Sequence, residues 1–162
     1  MRRTFALIVA AGLMVALLAI PGTAFSRATF TRYTATETQL DGPNFESVPT
    51  EGEPVKFTSV FEDRATDPRA SGITSVSGTI TFTDLATFTG TMRGTSLTDV
   101  TGEGYEGTWV GRWRGRLTGG GESVYWAVAR GTGDLVGMRM FMTFDSARDP
   151  MIKGVLLDFL DH

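Results

Sequence analysis

A chain of 162 residues with 15 basic and 18 acidic side chains, net charge −3, lacks the basic field that a nucleic-acid partner needs to displace counterions. It has no cysteine, which excludes disulfides, thiolate nucleophiles and a lipidated-cysteine anchor. The length suits a single domain built on one core.

The chain opens with Arg2 and Arg3, an uncharged apolar run from Phe5 to Ile20, and Pro21-Gly22-Thr23-Ala24. A positive start, an apolar middle and small residues at the end are the anatomy of a secretory signal peptide. Residues 1–24 are therefore expected to be the leader, with Gly22 and Ala24 placed for cleavage before Phe25 and a second site near Ala28. An uncleaved anchor is the other reading, although the run is slightly short of the roughly 20 residues of a membrane span. Cleavage removes two arginines and no acid, so the remainder is more acidic still. The expected product is a secreted or periplasmic protein, residues 25–162, with no membrane attachment once the leader is gone.

No later segment carries apolar residues at helical spacing, and threonine, valine and aromatic residues abound, which predicts an all-β domain. The first candidate strand is Thr29 to Glu37, followed by an irregular loop over 41–54 that holds Pro43, Pro49 and Pro54 and is expected to be mobile. A second strand, Val55 to Glu62, sets Val55, Phe57 and Phe61 against Lys56, Thr58, Val60 and Glu62, and the charged stretch Asp63 to Gly72 is expected to break it. Ile73 to Thr83 and a strand carrying Ala86, Phe88, Gly90 and Met92 form the cleanest hairpin, with one apolar and one threonine-rich face.

A fifth strand begins near Tyr105, where Tyr, Gly, Trp, Gly, Trp, Gly and Leu alternate with Glu, Thr, Val and three arginines through Leu117. Large and small residues alternating along one face suit the tapering inside of a small barrel, where glycine admits a neighbouring ring. Gly119-Gly120-Gly121 closes that strand with the positive φ of a tight hairpin. Ser123 to Arg130 follows, with Val124, Trp126 and Val128 on one side. Leu135 to Asp145 has Val136, Met138, Met140, Met142 and Phe144 as a continuous apolar face. Asp149-Pro150 is a further break, and Ile152 to Leu160 is the eighth strand.

Eight strands with short connections predict an antiparallel up-and-down barrel, since closure removes exposed edges. A flattened sandwich is the alternative. An outer-membrane barrel would need an outward apolar band with aromatic girdles, whereas the faces opposite the core carry threonines and Arg112, Arg114 and Arg116.

The run Gly131-Thr132-Gly133-Asp134-Leu135-Val136-Gly137, preceded by the glycine and aromatic strand from Tyr105 to Trp113, resembles the allene oxide cyclase and dirigent type of barrel, especially its small bacterial members of unknown function. The resemblance extends from about Val55 to Leu160. It implies an eight-stranded barrel with an internal apolar cavity, often assembled as a dimer or trimer. If the cyclase chemistry were shared, an inward acid would be expected on an early strand. Glu62 is the candidate there, although its phase matches Lys56 rather than Phe57.

Gly102-Glu103-Gly104-Tyr105-Glu106-Gly107 fits G-x-G-x-x-G, but a strand follows it and not a helix N-terminus, so nucleotide binding has no structural support. Arg112, Arg114 and Arg116 read either as an anion site or as a solvated outer face. Arg139 shares its face with Leu135, Gly137 and Phe141 and is expected to point into a semi-apolar space, paired with a carboxylate or with a ligand's acid group. Tyr105, Trp109, Trp113 and Trp126 read as the lining of a pocket for a flat or fatty molecule, or as core.

The one histidine is His162, the last residue, and no G-x-S-x-G occurs, so neither nucleophilic nor metal catalysis is indicated, and no cofactor is expected. The acids available for acid–base work are Glu62, Asp63, Glu103, Glu106 and Asp134, the last expected to form a turn with its glycine neighbours. Three readings follow. The first is a barrel that binds a small apolar or amphipathic molecule without chemistry. The second is an isomerase or cyclase, with Glu62 and Arg139 as candidate catalytic groups. The third is an interaction module filled by its own side chains.

Overall fold

The computed structural model describes residues 28–159, so the expected leader over residues 1–24 lies outside the described residues. The strands are β1 Thr29–Phe45, β2 Pro54–Ala65, β3 Gly72–Asp84, β4 Thr89–Val100, β5 Thr108–Gly119, β6 Glu122–Gly131, β7 Met138–Asp145 and β8 Asp149–Asp158. They pair antiparallel in sequence order, and β1 returns to β8 to close a barrel. The connections β1–β2, β3–β4, β5–β6 and β7–β8 therefore gather at one end. At the other end, single 3-10 turns at Pro68–Ala70 and Gly133–Leu135 bridge β2 to β3 and β6 to β7.

Several strand ends differ from the sequence-based expectation. Residues 41–45, expected in a mobile loop, continue β1 through register shifts that let Pro43 sit where no ladder bond is needed. Asp63 does not break β2, because its backbone pairs with both Glu37 and Gly72. Ala86 and Phe88 lie in a turn, Phe88 with a positive φ of 54°, and Tyr105 precedes β5. Leu135 belongs to a 3-10 turn ahead of β7, and Asp149-Pro150 opens β8.

Large and small residues alternate along the inside in a way that explains why the barrel fills. One hydrogen-bonded row reads Phe57, Gly78, Gly94, Trp113, Ala127, Met142, Gly154 and Tyr33. The Trp113 ring lies over two of these glycines: a Cβ on Gly78 or Gly94 would come within 2.6 or 2.7 Å of it. Tyr33 covers Gly154 in the same manner. Two apolar clusters result. One, with Val55, Phe82 and Trp113, sits toward the hairpin end; the other, with Trp109, Leu135 and Leu156, plugs the end that carries the 3-10 turns, and Met142 packs against both.

The plugged end is tied by Asp67. Its carboxylate caps the first 3-10 turn by accepting from the Arg69 backbone N–H at 3.0 Å, and it takes two bonds from the Arg69 guanidinium at 2.9 and 2.7 Å. The bidentate guanidinium holds its carboxyl below the usual range. Trp109 Nε1 donates to the Arg69 carbonyl at 2.7 Å, fixing the indole beneath this turn.

Candidate functional site

Inside the barrel is a cavity of about 340 Å³. Its walls are mainly apolar, with Phe57, Phe61, Ile80, Met92, Trp113 and Met142, and its lining reaches Gly121 and Ser123 at the hairpin end. On one side the polar groups converge: Glu37 from β1, Asp63 from β2, Thr74 from β3, Thr98 from β4 and Tyr125 from β6.

The period of two places these groups. Glu37 is in phase with Tyr33 and Ala35, both buried, and Asp63 is in phase with Val55 and Phe57. Glu37 and Asp63 stand directly opposite each other across the β1–β2 ladder, which puts Cβ atoms of facing residues roughly 4.5–5.5 Å apart. Two carboxyls at that spacing in an enclosed space cannot both ionise freely. Burial, then the field of Asp63, pushes the Glu37 carboxyl up to about 7 against the opposing hydrogen bond from Tyr125. Burial also raises Asp63, with the Thr74 hydroxyl acting the other way.

Each acid has one side-chain donor. Tyr125 Oη donates to Glu37 Oε1 at 3.2 Å, and Thr74 Oγ1 donates to Asp63 Oδ2. Since Thr74 commits its only proton to Asp63, the 2.7 Å contact with Thr98 must be a donation from Thr98. Burial and the neighbouring Glu37 hold the Tyr125 phenol well above its ordinary value, so it remains a donor at physiological pH. Tyr33 is raised as well, by burial and then by the fields of Asp63 and Asp67. Two buried atoms have no hydrogen-bond partner among the described residues, Tyr33 Oη and Asp63 Oδ1.

Of the residues singled out in the sequence, Trp113 lines this cavity. Trp109 is 1% exposed and inward, but it belongs to the apolar plug. Trp126 faces outward at 40% exposure with the Arg114 guanidinium 4.1 Å above its ring. It cannot line the interior, because Ala127 and Ala129 are the buried phase of β6. Tyr105 is 37% exposed in the β4–β5 connection. Arg139, expected to face a semi-apolar space, is exposed on the outer surface: Met138 and Met140 take the inward phase of β7 and force it out. Glu62 is also outward, paired with Arg64 at 3.1 Å, which removes it from any interior chemistry. Arg112, Arg114 and Arg116 lie on the exposed face of β5, beside open grooves along the outside of β4–β6.

Asp63 was legible as an available acid but not as an inward one, and Glu37 and Tyr125 were missed. The signal for both acids is a charge on an apolar phase of a strand. Tyr125 gives no such signal, because both faces of β6 carry apolar residues. Among the described residues no group of three His, Cys, Asp or Glu side chains converges to hold a metal ion. Comparison with protein-family models, with curated proteins and with solved structures gave no match.

Proposed function

We propose that the protein binds a small, largely apolar molecule inside its barrel, with the molecule's polar end against Glu37, Asp63 and Tyr125. The observation that carries this reading is a cavity of about 340 Å³ whose walls are mainly apolar and whose two carboxyls and one phenol converge on one side. Small-molecule sites have that composition and a volume of this order. The leader expected over residues 1–24 would place the binding outside the cytoplasm, and the resemblance to the allene oxide cyclase and dirigent barrels agrees with an internal ligand.

The test is a titration with octan-1-ol, a neutral molecule short enough for the cavity, followed by the fluorescence of Trp113 on the wall. Saturable quenching and a raised melting temperature are expected. Both should be lost in Ser96→Leu, which fills the cavity from β4, while the circular dichroism spectrum stays that of the parent. No response in the parent protein sinks the reading.

A second reading, isomerisation or cyclisation by proton transfer, is favoured by one observation: the Glu37 carboxyl, pushed up to about 7, sits where an acid can both give and take a proton near neutrality. In that case Glu37 exchanges the proton and Tyr125 positions it. The candidates for the role are then Glu37 and Asp63, in place of Glu62 and Arg139.

A further inference from the structure

We infer that the occupant of the cavity is a protonated amine carrying an apolar tail, selected over an alcohol or a fatty acid of the same length. This rests on the reading that the cavity binds an amphipathic molecule, and it names the head group.

The charge inside has one sign. Two carboxyls line the cavity and, among the described residues, no lysine, arginine or histidine side chain does. The cations that could have faced inward are all outside: Arg93, Arg112, Arg114, Arg116 and Arg139 are exposed on the outer wall. A fatty acid would bring a third carboxylate beside two others with no counter-ion, the least favourable arrangement in a low-dielectric space. The Gln39 amide, also in the lining, already donates to the Gly42 carbonyl.

The acceptors also outnumber the donors. An ionised carboxylate offers about four lone-pair sites, yet Glu37 and Asp63 each receive one side-chain donor, Tyr125 and Thr74. Asp63 Oδ1 is buried with none. Buried acceptors left unpaired are costly and call for a donor. An ammonium group has three N–H donors and no acceptor, so it pairs with carboxylate oxygens while cancelling their charge. An alcohol brings a single donor and no charge. Rings at Phe57, Phe61, Trp113 and Tyr125 among the lining add faces that attract a cation.

The titratable groups on the cavity wall are Glu37 from β1, Asp63 from β2 and Tyr125 from β6, with Tyr33 of β1 in the field of Asp63 but off the wall. The other strands present Thr74, Ser96, Thr98, Trp113 and Met142, none of which titrates in the working range. Amine affinity should therefore rise between pH 5 and pH 8 as Glu37, pushed up to about 7 by burial and by the field of Asp63, gives up its proton.

The experiment compares octylamine, octan-1-ol and octanoate by calorimetry on the purified protein at pH 5 and pH 8. Octylamine is expected to bind at least tenfold tighter than the alcohol at pH 8, with the gap narrowing at pH 5, and octanoate to bind weakest. In Glu37→Gln and in Asp63→Asn the preference for amine over alcohol should fall toward one, with the circular dichroism spectrum and cooperative unfolding of the parent certifying that the variants fold. Alcohol binding without an amine preference at pH 8 overturns this inference alone. An amine preference that survives both substitutions places the amine on the acidic exterior and overturns it too. Failure of all three probes on the parent protein overturns the cavity reading beneath it.

Discussion

Glu37 sets the pH response of the fold. Its carboxyl titrates at about 7 in the folded barrel against an ordinary value of 4.5, so the folded state holds the proton that the unfolded chain has already released. Below 4.5 both states are protonated and the contribution is complete; it is lost as pH rises through 7. The loss is about 3 kcal/mol, at roughly 1.4 kcal/mol for each unit of displacement. Glu37→Gln has no proton to release, and its urea-unfolding free energy should decline less between pH 4.5 and pH 8 than that of the parent by about that amount. The remaining decline belongs to Asp63, also raised. Asp67 acts with the opposite sign: its depressed carboxyl adds stability above its ordinary value of 3.8 that is lost as pH falls through the folded value. Equal pH slopes in parent and variant would show that Glu37 is not buried as described. In the sequence, Glu37 closes a run of threonines, and nothing local marks it as inward; only the phase it shares with Tyr33 and Ala35 does.

At the scale of strands, sequence and structure agree where one face is uniformly large or uniformly small and part where both faces are apolar. β3 and β7 were legible because Val76, Ile80 and Phe82, and Met138, Met140 and Met142, keep one phase throughout. β6 was not: Val124, Trp126 and Val128 look as much like core as Tyr125, Ala127 and Ala129 do, and the choice is made by neighbouring strands. Trp113 fills the interior from β5, leaving room in the same row for alanine and not for a second indole. Arg139 fell on the same ambiguity, since Phe141 beside it is also outward in phase.

The alternation itself is testable at Gly94, which faces Gly78 on one side and Trp113 on the other. A methyl at Gly94 meets the Ser77 carbonyl, which the ladder holds in place, and comes within 2.7 Å of the Trp113 ring. Gly94→Ala should destabilise the barrel by about 3 kcal/mol, at the upper end of overpacking. It should also shift the emission of Trp113, because the ring is what has to move. A variant as stable as the parent with unchanged emission would mean that the indole does not rest on this glycine.

For the whole molecule the consequential feature is that the ring has no privileged seam. β1 meets β8 from Thr29 opposite Asp158 to Ala35 opposite Ile152, in the same antiparallel manner as every other pair. The first and last strands therefore end beside each other, and the chain order around the ring is a matter of where the backbone is cut. The glycine turn at Gly119, Gly120 and Gly121, with φ of 108°, 61° and 86°, is a tight hairpin with few side-chain ties, the kind of site where new ends are tolerated. A circular permutant that joins residue 158 to residue 29 by a short glycine–serine linker and opens at Gly120 should keep the β-type circular dichroism spectrum and a single cooperative unfolding transition. Its octanol titration distinguishes two roles for that turn. The cavity lining reaches Gly121 and Ser123, so cutting there loosens the hairpin end without touching Glu37 or Asp63. Binding with unchanged saturation but faster release would identify the β5–β6 turn as the way in. Loss of cooperative unfolding would show instead that the closing pair cannot be exchanged for another, and that the ring depends on the order in which its strands are joined.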